Sequence, residues 1–238
     1  MIDFTIWNQL LSHYVNQQGQ VNYRRWKQES SETLAQWLRK TQACLSHEHQ
    51  DRAIALDNTQ LATWINLYNA LTIAQVLEHY PIGSIQPKIL GIPNWLGFLS
   101  FFMKPVYWFD GQSLSLNDIE HKILRKQFHD PRIHFALVCA SKGCPLLRPE
   151  AYCPEQIQTQ LDEDADRFIN NSAKIRYDAE HHVLYCSKIF KWYCKDFLME
   201  SASVQTYVEH YWQGASISPA AALRYLPYDW QLNDHSVH

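Results

Sequence analysis

Between Gln60 and Tyr80 the chain has a reading that constrains most of the rest. Leu61, Trp64, Ile65, Tyr68, Leu71 and Leu77 form an apolar stripe at helical spacing, and Pro81 ends it. A helix of this kind has to lie against a core. Asn66 and Asn69 are embedded in the stripe, three residues apart and so neighbours on one face. Asparagine is a poor helix-interior residue, because its amide competes with the backbone for hydrogen bonds. Two of them here predict buried amides with definite partners.

The flanking segments supply what this helix packs on. Phe4, Trp7, Leu10, Leu11 and Tyr14 recur at helical spacing until Gly19, and Leu34, Trp37 and Leu38 mark a second helix. Val106 to Leu114 reads as a hairpin turning at Asp110-Gly111. Ser115 to Asp118 reads as a helix start, with Ile119, Ile123 and Leu124 turned inward and Glu120 and His121 beside them. The near-continuous apolar run Ile133 to Cys139 predicts a strand at a sheet centre. Pro154 to Ile169 predicts an amphipathic helix. Lys174 to Asp178 and Val183 to Ser187 predict a hairpin, and two helices follow, from Ser187 and over 204–212. The expected class is α+β: a helix-rich single domain around a small, mostly antiparallel sheet. No repeat, low-complexity tract or Gly/Ser linker divides residues 1–238.

Composition narrows the function classes. With 46% hydrophobic residues, nine tryptophans and thirteen tyrosines in 238 residues, the chain can bury a sizeable core and is not of the disordered type. A net charge of −3 argues against a general nucleic-acid binder. The most apolar region, 82–108, is interrupted by Pro87, Lys88, Pro93, Lys104 and Pro105, so no transmembrane segment is expected. Its 95–103 stretch is expected to pack on the body of the protein. The start has neither the charged nor the apolar region of a secretory leader, so a cytoplasmic protein with free thiols is expected. The sequence identifies no cofactor and no oligomeric state. Its expected partner is a small molecule or peptide.

The chemistry concentrates between Asp130 and Pro145. Pro145 favours a helix start, which would make Cys144 an N-cap whose thiol meets unpaired N–H groups and the positive end of the helix dipole. That setting favours a thiolate, and Lys142 and Arg148 would add to it. The structural reading of the same residue is a small cysteine that helps turn the chain. His134 lies on the predicted strand with Ala136 and Val138, whereas Cys139 shares the opposite face with Phe135 and Leu137. A strand histidine is more often a hydrogen-bonded core residue than a base. His121, with Glu120 as orienter, is the competing base. Cys139 and Cys144 lack the two-residue spacing of redox dithiols or zinc ribbons. A disulfide requires the loop to bring their Cα atoms within about 7 Å. A metal site built from Cys139, Cys144, His134 and His121 is only weakly indicated. His181 and His182 read as a solvated turn, and Cys44, Cys153, Cys186 and Cys194 as structural. No phosphate loop, dinucleotide fingerprint, nucleophile elbow or His-Glu-x-x-His motif is present.

Several segments together resemble one family. They are Trp64-Ile65-Asn66-Leu67-Tyr68-Asn69-Ala70-Leu71, Ser113 through His121, Asp130 through Pro145, Ser187 through Tyr193 with Asp196-Phe197, and Tyr228 through Asn233. In this order they are similar to the domain of unknown function 547. The resemblance implies a core over about 55–200, with a helical N-terminal extension and a C-terminal tail packed on it. It also implies that Asn66, Asn69, Glu120, His121, Arg132, His134, Cys139, Ser141, Cys144 and Pro145 occupy motif positions. Lys142-Gly143 stands where members often carry serine or arginine. The resemblance brings no activity with it.

Three readings follow. In the first, a thiol enzyme performs acyl transfer or amide hydrolysis, with Cys144 as nucleophile, His121 or His134 as base, and Asn66 or Asn69 as orienter or oxyanion donor. In the second, a binding or scaffold domain uses the same motifs structurally, with Arg132 and Glu120 paired. In the third, Cys139 and Cys144 sense redox state or metal. Apart from these readings, Arg132, Cys139 and Ser141 are counted as binding residues.

Overall fold

The computed structural model describes residues 2–51, 57–86, 88–89, 92–109 and 111–235. In chain order its elements are α1 (Thr5–Tyr14), α2 (Tyr23–Asp51, kinked at Ser30), α3 (Asn58–His79), β1 (Lys88–Ile89), β2 (Ile92–Pro93) and α4 (Trp95–Met103). Then come β3 (Pro105–Phe109), β4 (Gln112–Ser115), α5 (Leu116–Asp118), a π-helix (Ile119–Phe128) and α6 (Ile133–Ala136). The last are α7 (Ile157–Ile169), β5 (Ile175–Asp178), β6 (Val183–Cys186), α8 (Ile189–Trp192), α9 (Cys194–Glu200), α10 (Val204–Tyr211) and β7 (Ala222–Tyr225).

The helix expected from its apolar stripe is α3, and it is the central element. Asp57 caps it by accepting from the Thr59 and Gln60 N–H groups. It is buried on all sides from Leu61 to Ile73, beyond what one stripe requires. Each fully buried residue such as Ile65 or Leu67 is worth roughly 1.5–3 kcal/mol of removed apolar surface. On one side Ala70, Ile73, Val76 and Leu77 meet Trp7, Leu11 and Trp26 of α1 and α2. On the other, Leu61, Ile65 and Tyr68 meet Ile119, Leu124, Ile157 and Leu161. A third core gathers Phe135, Phe168, Phe190, Phe197 and Tyr207, whose rings lie 4.6–6.4 Å apart.

The fold is helix-rich α+β. Its strands form antiparallel pairs β1–β2 and β3–β4 and a three-stranded sheet β5–β6–β7. In that sheet β5–β6 is the expected hairpin, and β7 joins β6 in parallel, Val183 opposite Ala222 and Cys186 opposite Tyr225. The expected hairpin at 106–114 is β3–β4. Gly111 takes the left-handed conformation the turn requires, and Asp110 lies outside the described residues. Ser115 and Asp118 cap each other reciprocally at the start of α5. The 95–103 stretch is the helix α4. Among the described residues no helix is long and apolar enough to cross a membrane.

Two expectations are corrected. Ile133–Cys139 is not a strand: Ile133–Ala136 is one turn of helix and only the residues after it are extended. The Asp130 side chain accepts from the Arg132 N–H at 2.9 Å, and the Pro131 carbonyl accepts from His134 N–H at 3.1 Å. Asp-Pro is thus a helix start here, and uniform apolarity does not distinguish a buried strand from a buried helical turn. Nor does a helix begin at Pro145, because 145–148 are irregular. Cys144 is therefore not an N-cap, and no helix dipole acts on it from that direction.

Candidate functional site

The residues after α6 carry the chemistry, and Asn69 on α3 sets their path. Its Nδ2 donates to the Ala136 carbonyl at 3.0 Å, and its Oδ1 accepts from the Val138 N–H at 3.0 Å. The amide thus pairs with extended backbone as a neighbouring strand would. Ala140 then adopts a positive φ of 61° and turns the chain. The returning loop is fixed from two sides. The C-terminal segment accepts from the Lys142 N–H at Gln231 O and from the Gly143 N–H at Asp229 O, both at 2.8 Å. From beneath, the buried Lys174 Nζ donates to the Lys142 and Cys144 carbonyls at 2.6 and 2.8 Å.

This loop closes the Cys139–Cys144 disulfide, with Cα atoms 6.0 Å apart. The Cys139 N–H donates to Cys144 Sγ at 2.8 Å. The Tyr228 hydroxyl stands 3.3 Å from Cys144 Sγ and 3.4 Å from Cys139 Sγ, and Ser141 Oγ lies 3.1 Å from the latter. Cys44, Cys153, Cys186 and Cys194 are free thiols, of which Cys186 is buried. Burial pushes the Cys186 thiol up to about 12.

Both sulfur residues line a cavity of about 450 Å³. Glu120, His121, Arg125, His134 and the aromatic side chains of Tyr68, Trp192, Tyr193, Tyr228 and Trp230 line it too. Glu120 and Arg125 reach it together because of the π-helix. In an α-helix residues five apart diverge by roughly 140° around the axis. The wider turn of a π-helix, with its i→i+5 bonding, narrows that to roughly 50° and puts both on one side.

His134 is buried, its ring stacked on Tyr193 with centroids 3.8 Å apart. Its Nε2 is 2.7 Å from Asp196 Oδ2. Nδ1 makes no hydrogen bond among the described residues. Arg125 grips the same carboxylate through Nε at 2.6 Å and Nη2 at 2.9 Å. Burial lowers the His134 pKa, outweighing its bond to Asp196, so the ring is neutral near pH 7. Burial raises the Asp196 carboxyl, but the hydrogen bonds and charges of His134 and Arg125 together outweigh it and hold the carboxyl well below the usual range. A neutral imidazole facing a carboxylate places its proton on Nε2, leaving Nδ1 as an acceptor.

Of the residues the sequence singles out, Cys139, Cys144, Pro145, His134, His121 and Glu120 share this cavity. His121 sits at its rim, half exposed, with Nδ1 3.7 Å from Glu120 Oε1. The remaining four do not line it. Asn66 binds backbone and an indole: Oδ1 accepts from Tyr152 N–H at 3.0 Å and from the Trp7 Nε1–H at 3.1 Å, and Nδ2 donates to the Tyr152 carbonyl at 2.8 Å. Asn69 holds 136–138 as described, and Ser141 contacts Cys139 from beside the loop. Arg132 does not pair with Glu120. It binds Asp130, Gln158 and Asp162.

Sequence reasoning did not single out Arg125, Asp196, Tyr228 or Trp230 as site residues. Asp196, Tyr228 and Trp230 stand in segments that carry the family resemblance, but their place in the site is three-dimensional, because Asp196 lies 62 positions from His134 and Tyr228 lies 84 from Cys144. Among the described residues no three His, Cys, Asp or Glu side chains are placed to hold a metal ion.

A family model described as "Protein of unknown function, DUF547" matches residues 53–169. No curated protein and no solved structure matches the chain.

Proposed function

The chain belongs to this family across residues 53–169, a membership that brings no activity with it, and we propose that its cavity is a thiol active site kept latent by the Cys139–Cys144 disulfide. The supporting observation is the division of labour on His134: Nε2 is committed to Asp196 and Nδ1 is left as an acceptor, on a wall shared with Cys144. A cysteine enzyme asks this of its base, a nitrogen for the thiol proton and an oriented partner behind the ring.

A dithiol reductant starts the sequence. Its two sulfurs join in a disulfide while Cys139 and Cys144 take up two electrons and two protons. Cys144 is the attacking thiol, its sulfur already accepting from the Cys139 N–H and the Tyr228 O–H. His134 takes its proton as the sulfur bonds to an acyl carbon. The leaving group departs with that proton, and water then cleaves the thioester, returning the thiol.

A second reading, reversible thiol–disulfide exchange by the same pair, is favoured by the pairing itself and by Cys139 being the more exposed partner. One experiment separates them. After mild reduction, iodoacetamide should modify Cys144 faster than the exposed Cys44 at pH 7, and His134→Gln should slow it. A p-nitrophenyl ester should be turned over by the reduced protein but not by Cys144→Ala. Fast alkylation without ester turnover selects the exchange reading. Alkylation no faster than at Cys44, and indifferent to His134→Gln, would sink both.

A further inference from the structure

The geometry points to a ligand that enters this cavity through a cationic nitrogen, an ammonium or guanidinium group. The inference rests on the site proposed above but not on its chemistry.

The charges lining and backing the cavity do not cancel. Arg125 is paired with Asp196 through Nε and Nη2, so those two neutralise each other. His134 is neutral, and His121 sits at the half-exposed rim. That leaves the Glu120 carboxylate, on a residue 8% exposed. Its Oε2 accepts from the Tyr68 hydroxyl at 3.3 Å, and the Tyr193 hydroxyl faces the same carboxylate. Its Oε1 is enclosed and has no hydrogen-bond partner among the described residues, His121 Nδ1 standing off at 3.7 Å. A buried, half-satisfied carboxylate is costly unless a counter-charge approaches it.

The walls suit the same charge. Trp192, Tyr228 and Trp230 pack together at the mouth, with centroids 4.4–5.8 Å apart, and Trp192 is 45% exposed. Aromatic faces attract cations through their quadrupole, and they attract ammonium groups most where water is excluded. Arg125 already uses this environment, its guanidinium carbon 5.1 Å from the Tyr193 ring centre. A cavity of about 450 Å³ admits a small amine or a single basic side chain.

Calorimetric titration tests this with three probes: choline, its neutral isostere with carbon in place of nitrogen, and N-acetyl-lysine amide. Choline or the lysine amide should bind at least about tenfold more tightly than the isostere. The tighter of the two shows whether a free quaternary ammonium or a basic peptide side chain is the natural source. Glu120→Gln should remove most of that preference. Trp192→Leu, at an exposed position that folding tolerates, should weaken both cations and leave the isostere unchanged. Equal binding of charged and neutral probes, no binding of any, or a preference that survives both substitutions would overturn the inference. Titration runs on the oxidised protein and needs no catalysis, so its outcome is independent of alkylation and ester turnover.

Discussion

His134 Nε2 and Asp196 Oδ2 are 2.7 Å apart, with Arg125 gripping the same carboxylate from its other side. The arrangement ties α6 to α9 and to the π-helix, and it has a pH signature. His134 has a lowered folded pKa, so between that value and 6.5 the unfolded chain holds the proton more readily than the folded one. Stability is then complete above 6.5 and falls as the pH drops through this window. The depressed carboxyl of Asp196 extends the loss below 3.8. Urea denaturation from pH 7.5 to 5 should show a falling midpoint, and His134→Gln should flatten that fall. In the reduced protein, Cys144 alkylation should persist below pH 6.5 before declining. A midpoint independent of pH in both proteins would contradict the assignment.

Asn69 offers a test of how the cysteine segment is held. Asn69→Leu keeps the helix and its bulk but leaves the Ala136 carbonyl and the Val138 N–H without their partner. Each buried orphan costs roughly 1–3 kcal/mol, so a loss of about 2–6 kcal/mol is expected for the two. Asn69→Asp keeps the acceptor for Val138 but sets a buried carboxylate against the Ala136 carbonyl, so it should cost at least as much. Chemical denaturation with unchanged m-value would check both.

These residues also show what was legible in the sequence. Two asparagines in an apolar helix announced buried amides, and the amides are there, paired with backbone 67 and 86 positions away. The hairpins and most helices were announced by Gly, Pro and capping residues, whose effects are local. The run 133–139 reads as a strand from sequence because a buried environment erases the periodicity that separates strand from helix. The π-helix was invisible for a related reason. Its sequence satisfies an α-helical pattern, and only the packed structure shows that Glu120 and Arg125 share a face. The pairing of Cys139 with Cys144 depended on a positive φ at Ala140, a residue type that rarely signals one.

Gly143 is demanded by space. A Cβ there would lie 2.8 Å from the Asp229 carbonyl and 2.8 Å from the Tyr228 ring. Gly143→Ala should therefore push Tyr228 off the sulfurs and cost about 1–3 kcal/mol, as overpacking does. At Gly83 a Cβ meets nothing within 4 Å, so Gly83→Ala is the matched control and should be close to neutral. Thermal melts of the two variants, with dithiothreitol titrations of the disulfide, would check this. Equal melting temperatures for both would contradict it.

Lys174 is the cation that holds the disulfide loop from beneath. Burial brings its pKa down to about 8, against a weak upward pull from Asp229. Lys174→Met preserves the length of the chain and its apolar contacts, but leaves the Lys142 and Cys144 carbonyls without their donor. A loss of about 1.5–3 kcal/mol near pH 7 is expected, the range for hydrogen bonds from a charged group. The sign of its pH dependence follows from the lowered pKa. Between about 8 and 10.5 the unfolded chain retains the proton that the folded protein has released, so raising the pH favours the folded state. A neutral amine still carries two N–H donors for the two carbonyls. The stability advantage of the native protein over Lys174→Met should therefore widen between pH 8 and 10, measured by urea denaturation of the pair. A gap that narrows over this range would mean that the lysine acts there as a fixed positive charge, not as a hydrogen-bond donor to the loop.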